Sequence, residues 1–303
     1  MPHRGTSSAS STSSVASLPT SSLRPSAPAE SLRDTPPPKP SAWSVPEYFS
    51  DLSPFSITHF AAGSSNLAIV TGTVASAPPA ITTSGTGAYI TSDNESLTGS
   101  MLQLLYPEGS INPANKPQGG AEFYAAPLDL SQASNVTFEY DVFFPDDFDF
   151  VRGGKLPGLF GGHETCSGGD SALNCFSTRL MWRSGGKGEL YLYAPKDKQT
   201  DELCSLPPQS ICDSTYGLSI ARGSFSYTLG SWTHVAQTVA LNSPGVPNGG
   251  FYLEVDGRPV IDRNDVYYRG KTKPTFFGGH DPEWASPRDQ YVWFAGFSIR
   301  INA

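Results

Sequence analysis

The chain has 303 residues, with 20 Lys and Arg against 28 Asp and Glu, a formal net charge of −8. Charged residues are 16% and aromatics 12%, alongside 30 Gly and 27 Pro, a mixture that excludes a coiled coil and points to a loop-rich β protein. No apolar run is long enough for a membrane helix, and the acidic balance lacks the basic footprint of a general nucleic-acid binder, so neither partner is expected.

Residues 1–45 hold 13 Ser and 8 Pro. Such a segment cannot bury enough apolar surface to offset its ordering entropy, and it is predicted to be a disordered tail. Order is expected to begin near Trp43–Phe49, with one domain spanning 46–303. The N-terminus shows no continuous apolar stretch of the kind an export signal needs. Period-two alternation then recurs. Val136, Phe138, Tyr140, Val142 and Phe144 share one strand face, and Trp232–Ala240 reads as another strand. Phe251, Leu253 and Val255 precede Asp256-Gly257, a hairpin turn signal. Tyr291, Trp293, Ala295, Phe297 and Ile299 form a C-terminal period-two set. Helical periodicity is nearly absent, and many short strands between Pro/Gly clusters predict an all-β sandwich or jelly roll. Phe160-Gly161-Gly162-His163 is echoed by Phe277-Gly278-Gly279-His280, most simply two Gly-rich strand ends.

Four cysteines, Cys166, Cys175, Cys204 and Cys212, contain no Cys-x-x-Cys pair. The simplest pairing is two local disulfides, Cys166–Cys175 and Cys204–Cys212. Together with the sequons at Asn94 and Asn135, this gives an extracellular location as the expectation.

The informative segment is Phe176–Lys198. Ser177, Arg179, Met181 and Arg183 project to one side of its first half, and Thr178, Leu180 and Trp182 to the other. After Ser184-Gly185-Gly186-Lys187-Gly188, Glu189, Tyr191 and Tyr193 alternate with Leu190 and Leu192. A five-residue turn centred on Gly186 would set Arg183 opposite Glu189, Met181 opposite Tyr191 and Arg179 opposite Tyr193. One face is then apolar. The other carries guanidinium groups, phenols, a hydroxyl and a carboxylate. Arg mixed with Tyr suits planar anionic groups and sugar faces better than it suits a merely solvated strand. Residues 152–198 also carry seven Lys and Arg against four Asp and Glu, a cationic stretch in an acidic chain that fits an anionic ligand.

Phe144-Pro145, the string Gly153-Gly154-Lys155-Leu156-Pro157-Gly158-Leu159, Ser177-Thr178-Arg179 and Tyr191-Leu192-Tyr193 together resemble polysaccharide lyase family 14, over roughly residues 100–300. That family includes viral, molluscan and fungal alginate and glucuronan lyases. The resemblance implies a β jelly roll whose concave sheet holds a polyuronate, and it implies that Lys155, Ser177, Arg179, Tyr191 and Tyr193 are the active-site positions. Such enzymes break a uronate glycosidic bond by β-elimination. Arg179, with Lys155 nearby, is expected to neutralise the charge that develops at the carboxylate. Tyr193 or Tyr191 is expected as base, acid or both, and Lys155 is the base if the reaction runs alkaline. Ser177 is expected to bind or orient substrate, with Arg183 beside it. His163, following the Lys155 segment, is the histidine best placed to join them, while the other histidines read as structural.

No Gly-x-Ser-x-Gly elbow or His-Glu-x-x-His motif occurs, and Asp146, Asp147 and Asp149 read as solvated loop carboxylates, so no cofactor or metal is expected. Two other readings compete with a lyase. One is a non-catalytic carbohydrate-binding jelly roll using the same groove. The other is a sandwich-type glycoside hydrolase, for which Glu189 is available but is expected to be occupied by Arg183.

Overall fold

In the computed structural model, residues 39–72, 99–112, 115–162, 166, 168–212, 215–270 and 285–303 are described. The tail up to residue 38, the Asn94 sequon, His163 and the second Phe-Gly-Gly-His string lie outside them. The strands are β1 (Ala42–Ser44), β2 (Ile57–Ala62), β3 (Leu67–Thr71), β4 (Ser100–Tyr106), β5 (Glu122–Ala125), β6 (Asn135–Phe144), β7 (Gly153–Lys155), β8 (Phe160–Gly162), β9 (Cys175–Arg183), β10 (Lys187–Tyr193), β11 (Leu218–Ser226), β12 (Ser231–Ala240), β13 (Gly249–Val255), β14 (Arg258–Val266) and β15 (Gln290–Ile301).

They form a two-sheet jelly-roll sandwich. The larger sheet runs β14-β13-β12-β6-β15-β4-β3, with β1 paired to β15. The smaller runs β11-β10-β9-β7, with β8 also on β9, and β2 and β5 make a separate ribbon. Apolar alternation decides how the sheets face each other. Tyr140, Val142 and Phe144 of β6 and Phe251 and Leu253 of β13 share one buried core with Leu180 and Trp182 of β9 and Leu190 and Leu192 of β10. Burying each such side chain contributes about 1.5–3 kcal/mol. Thr178 also enters this core, where its hydroxyl donates to Gln237 Oε1 at 2.6 Å, so that neither polar group is stranded. Asp256 and Gly257, at φ 50° and 70°, close the two-residue hairpin between β13 and β14.

The C-terminal period-two set does not keep one face. Pairing of β15 with β6 shifts register between Ala295 and Ser298. A bulge inverts side-chain parity. Tyr291 and Trp293 therefore pack outside with Phe143, whereas Phe297 and Ile299 join Val292 and Phe294 in the main core. Both local disulfides are present, Cys166–Cys175 and Cys204–Cys212. Asn135 of the second sequon starts β6, where its side-chain oxygen accepts a hydrogen bond from Asn302.

Candidate active site

The Gly-Gly-Lys-Leu-Pro-Gly-Leu string is a strip laid along β9. β7 pairs with the C-terminal half of β9, β8 with its start, and the loop between them stays attached through Leu156 N–H to Leu180 O and Thr178 N–H to Leu159 O, both 2.9 Å. Two glycines make this approach feasible. A Cβ on Gly154 would lie 2.1 Å from the Trp182 ring, and one on Gly158 would lie 2.4 Å from the Thr178 carbonyl. The strip sets Lys155 opposite Met181, on the same face as Ser177, Arg179 and Arg183.

The β9–β10 hairpin forms, but in a different register from the expected one. Glu189 stands opposite Met181, Tyr191 opposite Arg179, and Tyr193 opposite Ser177. Gly185 and Gly186 both adopt left-handed backbone, at φ 70° and 75°. The chain therefore reverses within Ser184–Gly186, and Lys187 already belongs to β10. The resulting slip is two residues, so every side chain keeps its expected face. The expected pairings of Arg179 with Tyr193 and of Arg183 with Glu189 become diagonal contacts. Arg179 Cζ lies 5.4 Å from the Tyr193 ring centre, and Arg183 Nε donates to Glu189 Oε1 at 2.8 Å.

A cleft of about 580 Å³ opens on this face. Lys155, Ser177, Arg179, Arg183 and Tyr191 line it, joined by Glu122 and Tyr124 from β5 and by Arg222 from β11. Its two ends differ. At one end Glu189, fully buried, is held by Arg183, by Arg222 Nε at 2.7 Å and by Ser219 Oγ at 2.6 Å. At the other end Glu122 Oε1, Ser177 Oγ and Tyr193 Oη are buried without a hydrogen-bond partner among the described residues. Native proteins rarely leave such atoms orphaned, and several around one guanidinium mark a place built to receive a polar ligand.

Burial acts on the ionisable groups here. It drives Lys155 well below the ordinary lysine range, and the nearby Arg179 and Arg183 add to the shift. Lys155 Nζ lies 5.5 Å from the Tyr191 ring centre. Burial first, then the neighbouring Tyr193, raises the Tyr191 phenol, so it keeps its proton. Its oxygen accepts a hydrogen bond from the Gly217 N–H at 3.2 Å. Burial pushes Glu122 up to about 8, against the pull of Arg179 and Lys155. Arg179 is further anchored by donating from Nη2 to the Cys166 carbonyl at 3.3 Å, within the Cys166–Cys175 disulfide loop.

Of the sequence-derived positions, Lys155, Ser177, Arg179, Arg183 and Tyr191 converge on the cleft. Tyr193 is completely buried and lies against Arg179 rather than in the cleft lining. Glu189 is occupied by Arg183, as expected, and by Arg222 as well. His234 is structural, with Nδ1 2.9 Å from Asp141 Oδ1. Glu122, Tyr124 and Arg222 escape sequence reasoning. The only local signal for the first two is alternation in β5, a four-residue strand too short to stand out.

The family profile described as Polysaccharide lyase 14 matches residues 94–297. Among solved structures, the chain is similar to the marine PL-14 alginate lyase from Aplysia kurodai, at 29% identity and a TM-score of 0.65, covering 86% of this chain and 98% of that one. It is also similar to the alginate lyase vAL-1 from Chlorella virus, at 26% identity and a TM-score of 0.52, covering 67% of this chain and 85% of that one. Exolysin of Paramecium bursaria Chlorella virus 1 is 24% identical over 168 residues, 49% of this chain, and the match spans only 26% of that relative's length. With the family profile matched over more than half of its residues, the chain belongs to polysaccharide lyase family 14.

Proposed function

We propose that this protein is a polysaccharide lyase that cleaves uronic-acid polymers, alginate or glucuronan, by β-elimination. One observation carries the reading: a lysine amine shifted toward its neutral form and a phenol shifted toward its protonated form sit side by side in a cleft with Arg179. Base and acid are thus poised in opposite protonation states, as an elimination requires.

Arg179 and the Ser177 hydroxyl receive the uronate carboxylate, and the guanidinium stabilises the negative charge that grows there as C5 loses its proton. Neutral Lys155 takes that proton on Nζ. The C5 electron pair forms the C4=C5 double bond as the C4–O4 bond breaks, and Tyr191 delivers its phenolic proton to O4. Proton exchange with solvent then returns Lys155 to the amine and Tyr191 to the phenol. Tyr193 backs Arg179 with its ring and acts as a positioning residue. Arg183 borders the same cleft with its charge already committed to Glu189. That commitment also argues against hydrolysis, because Glu189 has no free oxygen to serve as acid or base. The two disulfides fit a protein that works in an oxidising, extracellular setting.

The test is incubation with glucuronan, polymannuronate and polyguluronate while following the ultraviolet absorbance of the unsaturated sugar. Absorbance that Lys155→Ala abolishes is the expected result. Binding without absorbance on any of the three would instead make the protein a carbohydrate-binding module, and new reducing ends without unsaturation would make it a hydrolase.

A further inference from the structure

Glu122 plays no part in the elimination, yet it is built into the cleft. It is 6% exposed, its Oε1 has no hydrogen-bond partner among the described residues, and it shares the cleft lining with Lys155 and Arg179. A carboxyl group beside the guanidinium that receives a carboxylate has the same chemistry as the substrate. We infer that Glu122 is an internal competitor for the substrate's carboxylate site: protonated, it leaves Arg179 to the uronate, and ionised, it takes that guanidinium for itself and repels the incoming anion.

The surroundings support this. The charged groups acting on Glu122 are Arg179 from β9 and Lys155 from β7. Tyr124 lies two residues along its own strand, and across the ribbon β2 contributes Ala62 at the paired position, with His59 stacked on Tyr124 farther out. Burial holds the carboxyl neutral up to about pH 8. Below that pH the site is open to polyuronate, and above it each further pH unit removes roughly tenfold of the competent form. The loss falls on ground-state binding, so it appears in KM rather than in kcat.

This inference rests on the polyuronate reading of the cleft, and the experiment separates the two. KM and kcat are measured on polyuronate from pH 6.5 to 9.5 for the wild type and for Glu122→Gln, whose amide cannot ionise. In the wild type the ratio of KM at pH 9.5 to KM at pH 7 is expected to exceed about tenfold, and in Glu122→Gln it is expected to fall within about twofold. A variant that keeps the wild-type rise, or a wild type whose KM does not rise, overturns the role of Glu122. Should the wild type give no unsaturated product at any pH, the lyase reading fails instead. The same pH comparison, made by calorimetric titration with a uronate oligosaccharide, still decides for or against Glu122.

Discussion

The two ends of the cleft floor use the same residue types for opposite purposes. At the Glu189 end both oxygens of the buried carboxylate are satisfied, held between two guanidinium groups and a hydroxyl. At the Arg179 end the hydroxyls of Ser177 and Tyr193 and one oxygen of Glu122 are buried and unsatisfied among the described residues. Matched buried charges hold a fold in register, because removing one partner strands the others. Unmatched buried polar atoms are a cost that the fold carries for a ligand. Arg183 and Arg179, two positions apart on one strand face, therefore differ in function because of what surrounds them.

The largest effect should come from emptying the unmatched end. Arg179→Ala is expected to lower kcat/KM on polyuronate by about a thousandfold or more while the thermal midpoint changes little, as read from initial rates and calorimetry. If turnover survives, the contrast between the two ends collapses. The tyrosines sharpen it next. Tyr191→Phe should cost between about a hundred- and ten-thousandfold in kcat, the range for a general acid, whereas Tyr193→Phe should stay within about tenfold of the wild type. The reverse order would move the proton donor to Tyr193. At the matched end the loss should be in stability. Glu189→Gln is expected to destabilise by about 3 kcal/mol in urea titration, since two guanidinium groups lose their buried counter-ion.

The smallest effect lies on the far sheet and serves as a control. Asp141 raises the pKa of His234 above its ordinary 6.5. The stability from this pair is fully present below 6.5 and is lost as pH rises through the raised folded value. The gap in urea midpoint between wild type and His234→Gln should therefore be widest near pH 6 and close by about pH 9, with kcat/KM tracking the wild type throughout.

Much of the cleft is legible in the chain because β structure writes its faces at period two. Ser177, Arg179, Arg183, Glu189, Tyr191 and Tyr193 can be assigned to one face with no coordinates, and the two-residue slip in register does not disturb this. The face of Phe297 and Ile299 was not legible in the same way, since one bulge in β15 inverts parity and leaves no compositional trace. Glu122 was less visible still. Its four-residue strand reaches the cleft through a ribbon outside both sheets, so its nearness to Arg179 is set by long-range packing.

Local rules in the sequence therefore settled which side chains point together: alternation, turn glycines, and glycines that let the Lys155 strip lie on β9. The folded chain alone decided which of those groups stay unpaired and in which protonation state. Desolvation and neighbouring charge depend on atoms brought close from distant parts of the chain, and no pattern along the backbone encodes those distances.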